Sequence, residues 1–522
     1  MQGEFRGDFS RDSFDPIKRF SRVLMQQGRV QLDSDWNEQN DILLHYLRSL
    51  ATDLIGPHGG SGQPGFALIM PDIIDADIAK LKDANGNPLT PEGIRKLKRS
   101  LRESGFVFSI GRYYVDGLLC ENDSYLGFAE QQGYPFSGSL TLDYIRDQTA
   151  TFLVFLDVWE RHVSCNEDGD ICEVALGGPD TATRAQIVSA VVIPPPGPTS
   201  ARLYDQQKLA DNAKNLRDAI AAKNQANIDA ATKALNEFAE QVRVDLRQGS
   251  RANLRARARI TGMPEGDCNI QPEAQYRGPE NQLYRVEIQR GGVAWDGTTD
   301  GENPTGNVAD AATFKWSRDN SSIYFPILNL QGDSVQLSTL GRDSSRSLQV
   351  DDWVEIIADD LVLQGQPGPV VQIKSINPDE LTITLTEGVD LSYDESSTSH
   401  PVLRRWDQRD SNGESAKNVL LVREGTGEDL NWIELEDGVQ IQFPRDSDNL
   451  YRAGDYWLIP ARVATGDVIW PKVQQGNKWV AKPVPPHGID HHYAPLAVIS
   501  VDNSRNITRD LDCRRIFTPL AR

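Results

Sequence analysis

Apolar residues near the start of the chain recur with the spacing of a helix face. Trp36, Asn40, Leu43, Leu47, Leu50 and Leu54 are separated by steps of four, three, four, three and four. That is a heptad seam with one polar member, Asn40. Asp35, with Glu38 three residues later, predicts the helix start as a capping box. Gly56 and Pro57 predict its end. Such a seam packs either against its own domain or against another copy, and a polar seam residue fixes register and partner number. An amphipathic piece, Phe20–Leu32, precedes the helix.

A second helical pattern covers about 203–248. One seam runs Leu209, Ala213, Leu216, Ile220; another runs Ile228, Ala231, Leu235, Phe238, Val242. The phase breaks at Lys223–Asn227, which predicts a helical hairpin with Asn227 capping the second helix. It follows the proline run at 194–199 and is expected to project from a β-rich body.

Elsewhere the pattern is that of strands. FVFSIGRYYVDGLLC predicts two short strands around a turn, and TFLVFLDVWERHV is continuously apolar, as a buried strand should be. CNEDGDIC carries Asp168-Gly169, a hairpin signal. From 335 to 390, SVQLSTL, DDWVEII, PVVQIKSI and ELTITLT alternate with period two, which predicts a small SH3-like or OB-like barrel. The fold class expected is mainly β with helical insertions, α+β and multidomain. The expected segments are 1–60 for docking or oligomerisation, and 61–330 for a β-rich body with the helical insertion at about 200–260. The barrel follows at 331–400 and a C-terminal β-rich domain at 401–522.

Charge narrows the partners. The 54 basic and 75 acidic residues give a net charge of −21, which repels nucleic-acid phosphate and anionic lipid. No apolar run approaches eighteen residues, so no membrane span is expected, and no signal peptide is visible. The five cysteines, Cys120, Cys165, Cys172, Cys268 and Cys513, include no C-x-x-C pair. A disulfide framework or zinc ribbon is therefore not expected. Cytoplasmic synthesis is expected, with later release as part of a particle left open.

Candidate chemistry is sparse. His487, His491 and His492 cluster in HGIDHH, but without H-E-x-x-H on a helix. Loop capping and packing on Tyr493 are the default for them, and a zinc site is the alternative. The Gly-rich GPHGGSGQPG at 56–65 lacks the strand before it and the Lys after it that a phosphate cradle needs. The arginines at 243, 247, 251, 255, 257 and 259 read as pairing with the chain's own carboxylates, or as a patch for an acidic partner. No nucleophile elbow, Walker loop or kinase motif fits. No catalytic residue, cofactor or metal is expected.

Several blocks carry a family resemblance: GDFSRD at 7–12, RVLMQQGRVQLDSDWNEQNDILLHYLRSLATDLIGPHG at 22–59, IGRYYVDGLLCEN, LDVWERHV, ALGGPDTATRAQIV, ATFKWSRDN, YRAGDYWLIPARVATGDVIWP and PPHGIDHHYAPLA. Together they resemble a bacterial family labelled a domain of unknown function, found among genes for phage tail-like contractile injection systems. The likeness runs from end to end. It implies a structural subunit, at the baseplate or its periphery, whose partners are baseplate, sheath or tube proteins. The helix entry GRVQLDSDWNE at 28–38 and the hairpin GRYYVDG at 111–117 also look like phage baseplate and fibre-attachment proteins, which implies a trimer built on the helix. A carbohydrate or cell-surface module, or a hydrolase carried by the particle, are the competing expectations.

Overall fold

The computed structural model describes residues 3–518 apart from 63, 177–179, 197–203, 248–251, 260–275, 301–302, 342–345, 394–398, 410–414, 417, 426–430, 448 and 477. Arg251 and Cys268 lie outside the described residues. Strand residues outnumber helical ones, 35% against 23%, in several separate sheets. The mainly β class therefore holds. The chain forms two compact units, each built from three separated segments. One comprises 1–42, 161–186 and 250–490, the other 43–160, 187–249 and 491–522. They cut across the linear boundaries expected at 60, 330 and 400.

The first unit centres on a six-stranded antiparallel sheet whose middle strands are Thr313–Ser317, Gln282–Arg290 and Tyr456–Arg462. Its core holds Trp316, Trp457, Tyr284 and Phe443. Beside it lies the region expected to be a barrel. Six strands there pair one to the next, from Tyr324–Gln331 through Ser334–Leu337, Thr382–Leu385, Val370–Asn377, Trp353–Ile357 and Val402–Trp406 back to the first. Two small sheets share two bent strands, Tyr324–Gln331 and Val370–Asn377. Each strand breaks register partway, at Ile327/Asn329 and at Ile373/Ser375, and passes from one sheet to the other. Bulges bend strands in this way. Two of the strands, Tyr324–Gln331 and Val402–Trp406, begin or end outside the expected 331–400.

The same unit swallows the first residues of the chain. Glu4 and Arg6 are buried. Arg6 bridges Glu4 at 2.5 Å and Glu287 at 3.1 Å. Glu287 also receives Arg285 at 2.6 Å and Lys315 at 3.3 Å. Burial alone would raise the Glu287 carboxyl, but Arg6, Arg285 and Lys315 outweigh it and hold it well below the usual carboxylate range. Tyr456 donates to the Gly3 carbonyl at 2.7 Å, and Arg285 to that of Phe5 at 2.9 Å.

In the second unit the apolar run became the strand Thr151–Val163, which pairs with His492–Val501. Its core gathers Phe152, Val154, Leu156 and Val158 with Phe106, Phe108 and Phe128. Strands Gly111–Val115 and Leu118–Asn122 form the expected hairpin. Asp116 and Gly117 turn it with φ of 47° and 82°, both left-handed, as a two-residue turn between strands requires.

The helical pair formed as Gln206–Ala221 and Gln225–Arg247, with two corrections. Asn224, not Asn227, caps the second helix, accepting from the Asn227 N–H at 3.2 Å. The hairpin also does not project: Leu235, Ala239, Val242 and Leu246 are buried. Arg217 reaches Asp510 at 2.7 Å. His58 bonds Tyr113 at 2.9 Å and closely contacts Glu240 of the second helix. Burial would raise Glu240, but His58 and Arg243 hold it down at about 2. Of the arginine run, Arg247 meets Asp116 at 2.7 Å, while Arg257 bonds Gln440 and lies over Trp432.

Candidate docking surface on the N-terminal helix

The helix runs from Asp33 to Ile55. Its start differs from the expectation. Asp35 sits inside the first turn and reaches back to the Leu32 N–H at 3.2 Å, so Asp35 plays the part expected of Glu38. Asp33 accepts from the Ser10 N–H at 2.8 Å, and Glu38 from the Ser13 hydroxyl at 2.6 Å. The end is as predicted: Gly56 has φ +92° and donates to the Thr52 carbonyl at 2.8 Å.

One face is fixed to its own chain. Ile42 is 1% exposed. Arg48 makes a two-pronged pair with Glu160 at 2.8 and 3.0 Å, the strongest geometry for such a pair. The hairpin turn closes on the same spot. A Cβ at Gly117 would stand 2.4 Å from the Arg48 carbonyl oxygen. That position therefore needs glycine twice, for its φ and for this approach.

The seam lies on the opposite face. Trp36, Leu43, Leu47, Leu50 and Leu54 are 50–64% exposed, and Asn40 is exposed with them. The Asn40 side-chain N–H donates to the Trp36 carbonyl at 2.9 Å. Leu44 and Tyr46, which the seam reading missed, are also exposed and widen the stripe. They flank the seam at one residue to either side of it, a signal present in the sequence.

The preceding segment adds to this. Residues 19–32 form no helix; they run as an irregular strap with a turn at 27–28. The strap is held by polar ties such as Gln39 to the Val23 N–H at 2.8 Å. Its Phe20, Leu24, Met25 and Val30 are exposed, as is Ile17 just before it. Of the 27 large hydrophobic side chains exposed among the described residues, 13 fall within residues 17–54. Single exposed apolar residues are ordinary, whereas a concentration of this kind makes the stripe the candidate docking surface.

The three clustered histidines are each engaged differently. His491 meets Asp157 at 2.8 Å, tilts against Trp159 and stacks near Tyr493. His492 meets Asp116 at 3.0 Å. His487, in the other unit, stacks on Tyr456, and burial lowers it to about 4. Among the described residues no group of three or more His, Cys, Asp or Glu side chains is arranged to hold a metal ion.

A family model matches residues 5–254 and again 238–521, together nearly the whole chain. The chain belongs to DUF6519, a family of unknown function. Both the helix and the strap fall inside the first matched segment, so the exposed stripe lies within the family region. No curated protein and no solved structure is significantly similar to this chain. No helix among the described residues is long and apolar enough to cross a membrane.

Proposed function

We propose that the chain is a structural subunit of a phage tail-like contractile injection system, at the baseplate or its periphery. It joins the assembly through its N-terminal helix, with a second and third copy of itself as the occupants of the exposed stripe. The observation that carries the docking role is that stripe. The sequence blocks resembling injection-system genes support the kind of particle.

The energetics favour self-association. Seven large apolar side chains on the helix are 42–64% exposed. Fully burying each is worth about 1.5–3 kcal/mol, so covering what remains gives roughly 6–12 kcal/mol per helix. Two copies together give roughly 12–24 kcal/mol, against a cost of about 4–15 kcal/mol for one association. Asn40, Leu47 and Leu54 occupy one class of seam position, Trp36, Leu43 and Leu50 the other. A lone Asn at the first class fixes register. The flanking Leu44 and Tyr46 make the stripe too wide for a two-helix seam and suit three helices.

In this reading the chain catalyses no reaction and needs no cofactor. Its direct neighbours are baseplate, sheath or tube proteins. Particles assembled with Leu43→Ser, Leu47→Ser and Leu50→Ser combined are expected to lack the chain, although the free protein folds. Normal incorporation of that variant would contradict the proposal.

A second reading has one observation in its favour. A cleft of about 1280 Å³ in the first unit is lined by Trp36, Asn37, Asp33, Arg184, Tyr324 and Arg346. An aromatic face with planar polar groups suits a sugar. A glycan array with the intact chain and with Trp36→Ala tests it. Binding lost in the variant would support it, and no binding would remove it.

A further inference from the structure

We propose that Cys165 and Cys172 form a dithiol that a small-molecule disulfide oxidises to an intramolecular disulfide, closing the CNEDGDIC loop into a covalent ring. This goes beyond the docking role and does not depend on it.

The loop does not form the strand hairpin that Asp168-Gly169 suggested. It folds back in successive tight turns. The Glu167 and Asp168 N–H groups both donate to the Ser164 carbonyl, at 3.2 and 3.1 Å. Glu167 in turn accepts from the Ser164 N–H at 2.7 Å and from its hydroxyl at 2.6 Å. Asp168 accepts from the Asp170 N–H at 3.0 Å, and the Cys172 N–H donates to Gly169 at 3.2 Å. Cys172 then pairs with Asp180 in an antiparallel bridge.

The outcome is that two cysteines seven positions apart meet. The Cys172 sulfur lies 3.7 Å from the Cys165 carbonyl oxygen. The Cys172 thiol thus donates to the Cys165 backbone, and the Cys172–Asp180 bridge holds it at that end of the loop. Both are unbridged and half-buried, within reach of small reagents, whereas Cys120 and Cys513 are buried. Burial first, then the Cys172 thiol and the Asp180 charge, push the Cys165 thiol up to about 12. Cys165 is therefore a poor first nucleophile, and exchange begins at Cys172.

The chemistry balances with a low-molecular-weight disulfide as oxidant. The Cys172 thiolate attacks one of its sulfurs and expels a thiolate, leaving a mixed disulfide. Cys165 then attacks the Cys172 sulfur, gives up its proton and expels the second small thiol. Two electrons and two protons pass from the protein to the oxidant, which becomes two thiols. The ring is open in a reducing compartment and closed in an oxidising one.

The test uses the intact chain, reduced, then equilibrated with oxidised glutathione, alkylated and cut with trypsin. Residues 162–184 contain no Lys or Arg before Arg184, so both cysteines stay on one peptide. That peptide is expected to carry no alkyl group and to weigh two hydrogens less than its reduced form. In Cys172→Ser, Cys165 is expected to remain free or to hold a lasting glutathione adduct. Oxidation of the native chain should raise the melting temperature by about 3 °C, and that of Cys172→Ser should not. Two alkylated cysteines, or two separate glutathione adducts, in the native chain would overturn the proposal.

Discussion

Two neighbouring stretches at the start of this chain have opposite fates. Residues 3–9 carry charges, Glu4 and Arg6, and these are buried among Glu287, Arg285 and Lys315. Residues 17–54 carry the leucines, and many of these stand in solvent. Hydrophobicity alone would have placed them the other way round. A buried charge persists only where partners satisfy it, and exposed leucines persist where something else covers them. The charged stretch thus belongs to the fold, and the apolar stretch is left uncovered by it, which is what the proposed docking role uses.

The largest expected effect separates the two most sharply. Arg6→Ala leaves Glu4 and Glu287 short of a cation in a dry site and should cost about 3–5 kcal/mol. Denaturant unfolding of the first unit measures it. A change below 1 kcal/mol would mean the N-terminal residues are not part of that core. For the same reason, removing the whole N-terminal segment is a poor probe of docking, because it breaks the fold together with the surface.

Acid should attack the buried stretch next. Burial first, then Arg404, Arg6 and Arg285, lower His162 to about 3, so it is neutral when folded. A base depressed in this way costs stability once the unfolded form takes up protons. The loss begins below about pH 6.5 and grows by roughly 1.4 kcal/mol per pH unit towards pH 3. Glu240, held at about 2, contributes stability in full above 4.5 and loses it only between 4.5 and 2. His162→Phe should therefore flatten the fall in stability between pH 6.5 and 4.5, while Glu240→Gln should leave that interval unchanged. An unaltered slope in the histidine variant would contradict this.

The stretch reaching solvent is sharpened by a smaller change. Asn40→Leu removes the polar seam residue. It should tighten self-association by about 1–2 kcal/mol while allowing more than one copy number, as sedimentation velocity would show. A single unchanged species would mean Asn40 does not set the register.

Some of this was legible in the sequence. The strand Thr151–Val163 and the turn at Asp116-Gly117 follow from local patterns, as does the stop at Gly56-Pro57, because their causes lie within a few residues. The heptad spacing gave the stripe its members, Trp36 to Leu54. What could not be read depends on distant partners. The burial of Glu4 and Arg6 has no local signal, because Glu287 lies 281 residues beyond Arg6. The hairpin looked like a projection because the groups that hold it, His58 and Asp510, lie far away in the chain. The barrel was expected within 331–400 because alternation fixes which face a residue takes but not where a strand bends or which distant strand joins it. Chain order also hides that the chain passes five times between the two units.

The most direct test is the mass of the intact chain in solution by sedimentation equilibrium, compared with the Leu43→Ser, Leu47→Ser, Leu50→Ser variant. The native chain is expected as a trimer of the 58.0 kDa protomer, and the variant as a monomer with the same melting temperature, since exposed positions contribute little to folding. A native chain that stays monomeric at high concentration would contradict self-association through the helix.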